Sequence, residues 1–242
     1  MTYRPRDFWE RRLSQHFDLR GTGEPGLSLA YNRACYALRR RVLDRALREA
    51  GVDPRGRRVL DVGCGTGFFT RHYLARGASV TGVDIAPVSV ERLARELPEA
   101  RFVLADVSES VPEGRYDIVN AFDVLYHITD DAGWEAAVRH LCGAVDSLGT
   151  LLLTDTFAEL PGLADHNRSR PLARYRTLLA AEGLEIREVY PTHVLLNREL
   201  GALRVLNRLP ALLYAADRVL LALGAGHDDP VVSKLLVAQR KR

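Results

Sequence analysis

Residues 61–67 read DVGCGTG, behind the apolar run RVLDV and ahead of a helix-like stretch. Glycines at alternate positions let backbone approach a ligand where a Cβ would collide. A carboxylate, Asp84, ends the next apolar run, 21 residues past Gly63. At a strand end beside such a turn, a carboxylate can accept hydrogen bonds from two vicinal ribose hydroxyls. Two nucleoside-bearing cofactors fit this pair, a dinucleotide and S-adenosylmethionine. A dinucleotide fingerprint runs G-x-G-x-x-G, and counting from Gly63 puts Phe68 in the last glycine's place. A phenylalanine where a pyrophosphate should meet a helix start is a poor fit. A further carboxylate, Asp106 in LADVSE, closes a third apolar run.

Positioning these groups requires a scaffold of alternating elements. Strands are expected at 58–62, 79–84, 101–106, 116–122 and 149–157, and helices at 66–77, from Pro87 onward and at 131–145. The segment RPLARYRTLLAAEGLEIREVY adds a helix and a strand, and VVSKLLVAQRK a last strand. Strands alternating with helices imply a parallel sheet covered on both faces, and nearly unbroken apolar strands agree with that. Residues 7–19 and 29–50 read as leading helices, the second with Leu38, Val42, Ala46 and Ala50 on one stripe. The apolar stretch 200–224 reads as an insert that Pro210 splits into two helices.

With these residues in place, the chain resembles the class I S-adenosylmethionine-dependent methyltransferases of the small-molecule type. DVGCGTG matches their first motif position by position, and the likeness is close over 56–157. The resemblance implies an α/β, Rossmann-like, seven-stranded, mostly parallel sheet with helices on both faces. It implies one methyltransferase domain over 1–242, with a helical lid at 1–50, a core at 56–192 and 229–242, and a cap at 193–228. Asp61 would organise the loop, with Gly63, Cys64 and Gly65 passing under the amino-acid part of the cofactor. Asp84 would hold the ribose beside Ile85, Asp106 the adenine amino group, and Val107 would offer its amide. Phe122 would line the methionine arm, and Tyr31 would belong to the closing lid.

The acceptor side falls to the loop FDVLYHITDD and to whatever covers it. His127 is its candidate base, because histidine titrates near neutral pH, although it could equally brace the loop. Tyr126, His166 and Arg168 are expected around the acceptor, and the insert over its pocket. Asp123 and Asp155 sit where a catechol-type metal trio needs acids, but Thr156 stands in place of the asparagine, so no metal is expected. The place of the nucleic-acid amino-methylating motif reads NAFD, which lacks its prolines.

Bulk properties narrow the class further. Of 242 residues 27% are charged, and the net charge of +3 is too small to imply nucleic acid. Three cysteines fit neither a metal site nor a disulfide framework, which favours a reducing cytoplasm. MTYRPRDFWERRL has no apolar run, so it does not read as a signal peptide. Charges interrupt 200–224, so no stable membrane insertion is expected. The expected partner is a small-molecule substrate, with the protein a monomer or homodimer. The leading reading is methyl transfer from S-adenosylmethionine to a small molecule, with oxygen favoured over nitrogen. Alternatives are a cofactor-binding protein that does not methylate (a cyclase or partner subunit) and a nicotinamide-dependent oxidoreductase.

Overall fold

Successive residues of a strand face opposite sides of a sheet, and the apolar runs of this chain use both sides. Leu60, Val119, Leu151, Leu153 and Leu236 pack into one buried cluster with Trp134, Leu141 and Tyr175. Their neighbours Val59, Ile118, Leu152, Leu235 and Val237 pack into the opposite cluster with Val42, Leu47 and Tyr73. Two helical layers therefore sandwich one sheet. The computed structural model describes residues 3–160, 164–197 and 201–241.

Helices α1 (Pro5–Gln15), α2 (Leu19–Thr22) and α3 (Leu29–Glu49) precede strand β1 (Arg58–Val62). There follow α4 (Phe68–Ala75), β2 (Ser79–Asp84), α5 (Pro87–Glu96), β3 (Arg101–Leu104) and β4 (Tyr116–Ala121). A 3-10 turn at Leu125–His127 leads to α6 (Asp131–Ala144), β5 (Val145–Asp155), α7 (Leu172–Ala181) and β6 (Leu184–Pro191). A 3-10 segment, Gly201–Arg208, then precedes α8 (Pro210–Ala222) and β7 (Lys234–Arg240). The seven strands lie in the order β3-β2-β1-β4-β5-β7-β6. All neighbours are parallel except β7, which runs antiparallel to β5 and β6. The expected fold class is the observed one.

Local chemistry sets the element ends. Ser28 caps α3 by accepting from the Tyr31 amide at 3.1 Å, and Asp130 caps α6 by accepting from Gly133 at 2.6 Å. Pro87 and Pro210 occupy first helical turns, where the missing N–H costs nothing. Gly67 precedes α4 at φ 77°, so that helix starts two residues later than 66. The leading helix stops at Gln15 rather than 19, because the chain folds back tightly there. A Cβ on Gly21 would lie 1.9 Å from the His16 carbonyl oxygen, and Arg12 donates to the Gly21 and Gly23 carbonyls. Strand β5 begins at Val145 rather than 149, through an irregular register against Tyr116 and Ile118. The first half of the insert is 3-10 rather than α. Its start at 200 lies outside the described residues.

Candidate active site

The sheet order turns back between β1 and β4, and ligands of such sheets bind beyond the carboxyl ends at that point. A cavity of about 360 Å3 lies there, within the usual range for small-molecule sites. Its floor is the loop after β1. Gly63, Gly65 and Gly67 all have left-handed φ, at 71°, 52° and 77°. Any side chain would be strained there, and a Cβ on Gly63 would lie 2.2 Å from Val124 Cγ2. The third glycine is therefore needed as much as the first two.

Of the residues singled out in the sequence, Asp61, Gly63, Cys64, Gly65, Asp84, Ile85, Asp106, Val107, Phe122 and His127 all line this cavity. Asp61 is held from two sides, accepting from Asn120 Nδ2 at 2.7 Å and Thr70 Oγ1 at 2.5 Å. Asp84 accepts from the Gly65 amide at 2.7 Å and the Ala86 amide at 2.9 Å. Burial nevertheless pushes its pKa up to about 6, against the lowering effect of those two bonds. Asp106 accepts from the Ser108 amide and hydroxyl at 2.9 and 2.6 Å. Phe122 meets Phe69 edge-on at 4.7 Å.

Four expected contacts lie elsewhere. Tyr31 is fully buried between α3 and the insert, where it packs with Cys35, Leu38, Leu196 and Leu213 and its hydroxyl accepts from the Asn197 amide at 2.7 Å. It is a packing residue here, since helix periodicity turns it away from the cavity, towards which Tyr36 faces. Tyr126, His166 and Arg168 stand behind the cavity wall. Tyr126 packs against His127 at 4.3 Å between ring centres, and its carbonyl accepts from the Arg168 amide. The His166 ring stacks on Phe8 at 4.8 Å. Arg168 is exposed, donating to the Thr129 carbonyl and pairing with Asp131 at 3.0 Å. The insert does not supply the roof either: none of its described side chains lines the cavity.

The roof comes from α1 and the residues before it. Pro5, Trp9 and Leu13 line the cavity together with Tyr3. Their spacing of four puts them on one helix face, a signal present in the sequence but hidden by the expectation of an undivided helix. Trp9 meets His127 edge-on at 4.9 Å. His127 Nδ1 lies 3.1 Å from the His166 carbonyl oxygen. A carbonyl only accepts, so Nδ1 carries the proton and Nε2 the lone pair. Burial lowers the His127 pKa to about 4, so the ring is neutral at pH 7.

Two arginines have structural roles that the sequence did not assign. Arg39 from α3 pairs with Asp123, which sits at φ 58° just past β4 and also accepts from Thr154 Oγ1 at 3.1 Å. Arg170, 2% exposed, donates to the carbonyls of Ile128, Arg168 and Asp130 and pairs with Asp131. It lies over the Trp134 ring and fixes the loop that carries His127. Asp155 is buried and accepts from Tyr175 Oη at 2.7 Å, so its carboxylate supports the core.

A family profile described as a methyltransferase domain matches residues 32–194, more than half of the chain. The chain belongs to the class I S-adenosylmethionine-dependent methyltransferase family, whose cofactor is S-adenosylmethionine. It is 29% identical to malonyl-[acyl-carrier protein] O-methyltransferase of Serratia marcescens over 162 residues, 61% of each chain. It is 35% identical to ubiquinone biosynthesis O-methyltransferase of Pseudomonas aeruginosa (strain LESB58) over 93 residues, 36% of this chain and 40% of the relative. The chain thus spans 61% or less of the length of these relatives. In fold it resembles magnesium protoporphyrin IX methyltransferase from Synechocystis PCC 6803 with bound S-adenosylhomocysteine, at a TM-score of 0.64, 21% identity and 98% of both chains.

The cavity suits that cofactor chemically. Asp61, Asp84, Asp106, Asp123 and Asp130 line it, a strongly acidic set for a cationic sulfonium. Thr22 Oγ1 is buried without a hydrogen-bond partner, and Thr22 lines the same space. Unpaired buried polar atoms cost about 1–3 kcal/mol each, and a polar ligand offers them partners.

Proposed function

We propose that this protein transfers the methyl group of S-adenosylmethionine to a small-molecule acceptor, with oxygen favoured over nitrogen. The observation that carries the reading is the convergence of the glycine loop, Asp84 and Asp106 on one cavity at the sheet's switch point. The cofactor supplies an electrophilic methyl on a sulfonium. Asp84 is the group that would accept from both ribose hydroxyls, and Asp106 the group that would accept from the adenine amine. Gly63 and Gly65 would pass under the methionine portion, with Phe122 and Phe69 as its wall. The preference for oxygen is supported by the two relatives, both O-methyltransferases by name.

The chain's remaining task is to orient the acceptor and take a proton. Positioning alone supplies several kcal/mol of a displacement barrier. His127 is the proposed base: its Nε2 is free of a proton and its ring is fixed by His166, Trp9 and Tyr126. Burial, which lowers its pKa to about 4, takes it below the near-neutral range in which a base works best at pH 7. The test is calorimetric titration with S-adenosylhomocysteine, followed by labelled-methyl transfer to a panel of hydroxyl and amine compounds. Binding without transfer to any acceptor would favour the non-methylating alternative, and protection by NAD alone would overturn the cofactor. His127→Ala at unchanged cofactor affinity should cut turnover by roughly 10²-fold or more. Turnover near that of the native protein would remove His127 as the base.

A further inference from the structure

Of the eight large apolar residues exposed among the described residues, five lie in 205–223, so exposed apolar surface is concentrated on the insert. On α8, exposed Leu212, Ala215, Val219 and Leu223 follow at steps of three or four and form one outer face. Leu223 at its end is 79% exposed. Arg218 is the only exposed charge of α8. Beside that face a groove of about 350 Å3 runs between α3 and α8. Five arginines line it: Arg40, Arg41, Arg45 and Arg48 from α3, and Arg218 from α8. Its one carboxylate, Asp44, is taken by His72 and Arg76, while Arg45 pairs with Glu49. Arg40, Arg41 and Arg48 are left without an ion pair among the described residues. Arg218 and Ala222 belong to both the groove and the outer face, so the two are continuous. Neither shares a residue with the cavity over the glycine loop.

We infer that the α3–α8 face docks on an anionic lipid surface, with headgroup phosphates in the arginine groove and the outer face of α8 in the interfacial layer. Guanidinium groups bind phosphate oxygens in pairs of parallel hydrogen bonds, and several arginines close together raise the local attraction for anions. An apolar helix face beside a basic rim is the pattern that lies in a membrane interface. Among the described residues no helix is long and apolar enough to cross a membrane, so the contact is confined to one surface. A second copy of the chain fits less well. A two-fold pairing through α8 would set the same arginines against each other, with no exposed acid on α8 to offset them. An acidic protein would have to bring both an apolar trough and matching carboxylates, whereas any patch of anionic lipid offers both chemistries at once.

The test is co-sedimentation of the full chain with vesicles of phosphatidylcholine alone or with roughly 30% phosphatidylglycerol. Binding to the anionic vesicles should be at least roughly tenfold tighter, and should fall as salt is raised from about 0.1 to about 0.5 M. Two double variants separate the parts: Val219→Ser with Leu223→Ser, and Arg41→Glu with Arg48→Glu. Each should weaken vesicle binding by roughly tenfold or more. All four side chains are exposed, so the urea midpoint and S-adenosylhomocysteine affinity should stay native in both variants. No preference for the anionic vesicles, or binding that survives Val219→Ser with Leu223→Ser, would overturn the inference. Poly-glutamate or inorganic phosphate bound as tightly as the vesicles would give the arginines to an acidic protein or a free phosphate instead. A dimer in sedimentation velocity that Val219→Ser with Leu223→Ser dissolves would give the face to a second copy. None of these readings depends on methyl transfer, so a failure of the proposed activity leaves the vesicle result interpretable.

Discussion

Two helical additions are attached to the same sheet, and they face different things. α1 turns Pro5, Trp9 and Leu13 into the cavity. The insert turns Leu213 against Tyr31, Cys35 and Leu38 of α3 and packs Leu221 beside the α3 side of the sheet. Buried carboxylates divide in the same way. Asp217 of α8 is fully buried and accepts from the amides of Val194, Leu195 and Leu196 at 3.1, 2.6 and 2.9 Å. Asp84 accepts from two amides as well, but one side of it borders a cavity. A buried acid surrounded by backbone donors holds the chain together, whereas one with an open side can also hold a ligand. Mutations on the two sides should separate stability from binding.

The largest effect is expected at Asp217. Asp217→Ala leaves three backbone amides of 194–196 without their acceptor, at a cost of about 3–5 kcal/mol. Urea denaturation measures it, with S-adenosylhomocysteine affinity of the folded fraction unchanged. A loss under 1 kcal/mol, roughly the worth of one ordinary hydrogen bond, would show that the insert does not depend on this acid. A fall in cofactor affinity would break the division between the two regions.

Asp84→Asn is next, and it should act on binding. Its carboxylate would accept two hydroxyl hydrogen bonds, and charge-assisted bonds are worth about 1.5–3 kcal/mol each. A loss of S-adenosylhomocysteine affinity of roughly 30- to 100-fold follows. The pH dependence sharpens the point. Burial raises the Asp84 pKa to about 6, and only the ionised form accepts from both hydroxyls. Affinity should therefore rise as pH goes from 5 to 7 and then level off, and Asp84→Asn should flatten the curve. The linkage for folding has the opposite sign. A raised carboxyl pKa means the folded state holds the proton longer, so Asp84's share of stability declines as pH rises from 4 to 6. A flat native binding curve would sink the role given to Asp84.

The same contrast shows what the sequence could reveal. The strands, their order of appearance and the Asp61–Asp84–Asp106 set were legible, because each rests on local periodicity and on strand ends that the fold must bring together. The roof was not. Trp9 and Tyr31 are both aromatic residues on leading helices, and helical spacing gives each a face without saying which face meets the cavity. The turn at Gly21 decides it by folding α1 back over the loop after β1. The pairings of Arg39 and Arg170 were not legible for a related reason: their partners, Asp123 and Asp131, lie 84 and 39 residues away.

Trp9→Ala tests the roof with a smaller effect. It removes an aromatic wall of the cavity beside His127. Acceptor KM should rise by roughly tenfold, corresponding to about 1.5 kcal/mol of lost ring contact, while cofactor affinity stays within a factor of two. If KM is unchanged and the cofactor weakens instead, α1 covers the nucleoside end and the assignment of the two ends is reversed.

Tyr31→Phe is the mildest change, and it addresses the residue that the sequence placed on the wrong side of α3. The hydroxyl accepts one amide bond, from Asn197, inside a fully buried contact with the insert. Removing it leaves that amide unsatisfied while keeping the ring that packs against Leu196 and Leu213. The loss should be about 1 kcal/mol, near the low end for an unpaired buried donor, and urea denaturation should show it with an unchanged slope. Cofactor affinity and acceptor KM should both be unaffected, because no atom of Tyr31 borders the cavity. A Tyr31→Phe protein of native stability that binds S-adenosylhomocysteine several-fold more weakly would return Tyr31 to the lid. It would also mean that α3 can turn to present a different face to the cavity when ligand is bound.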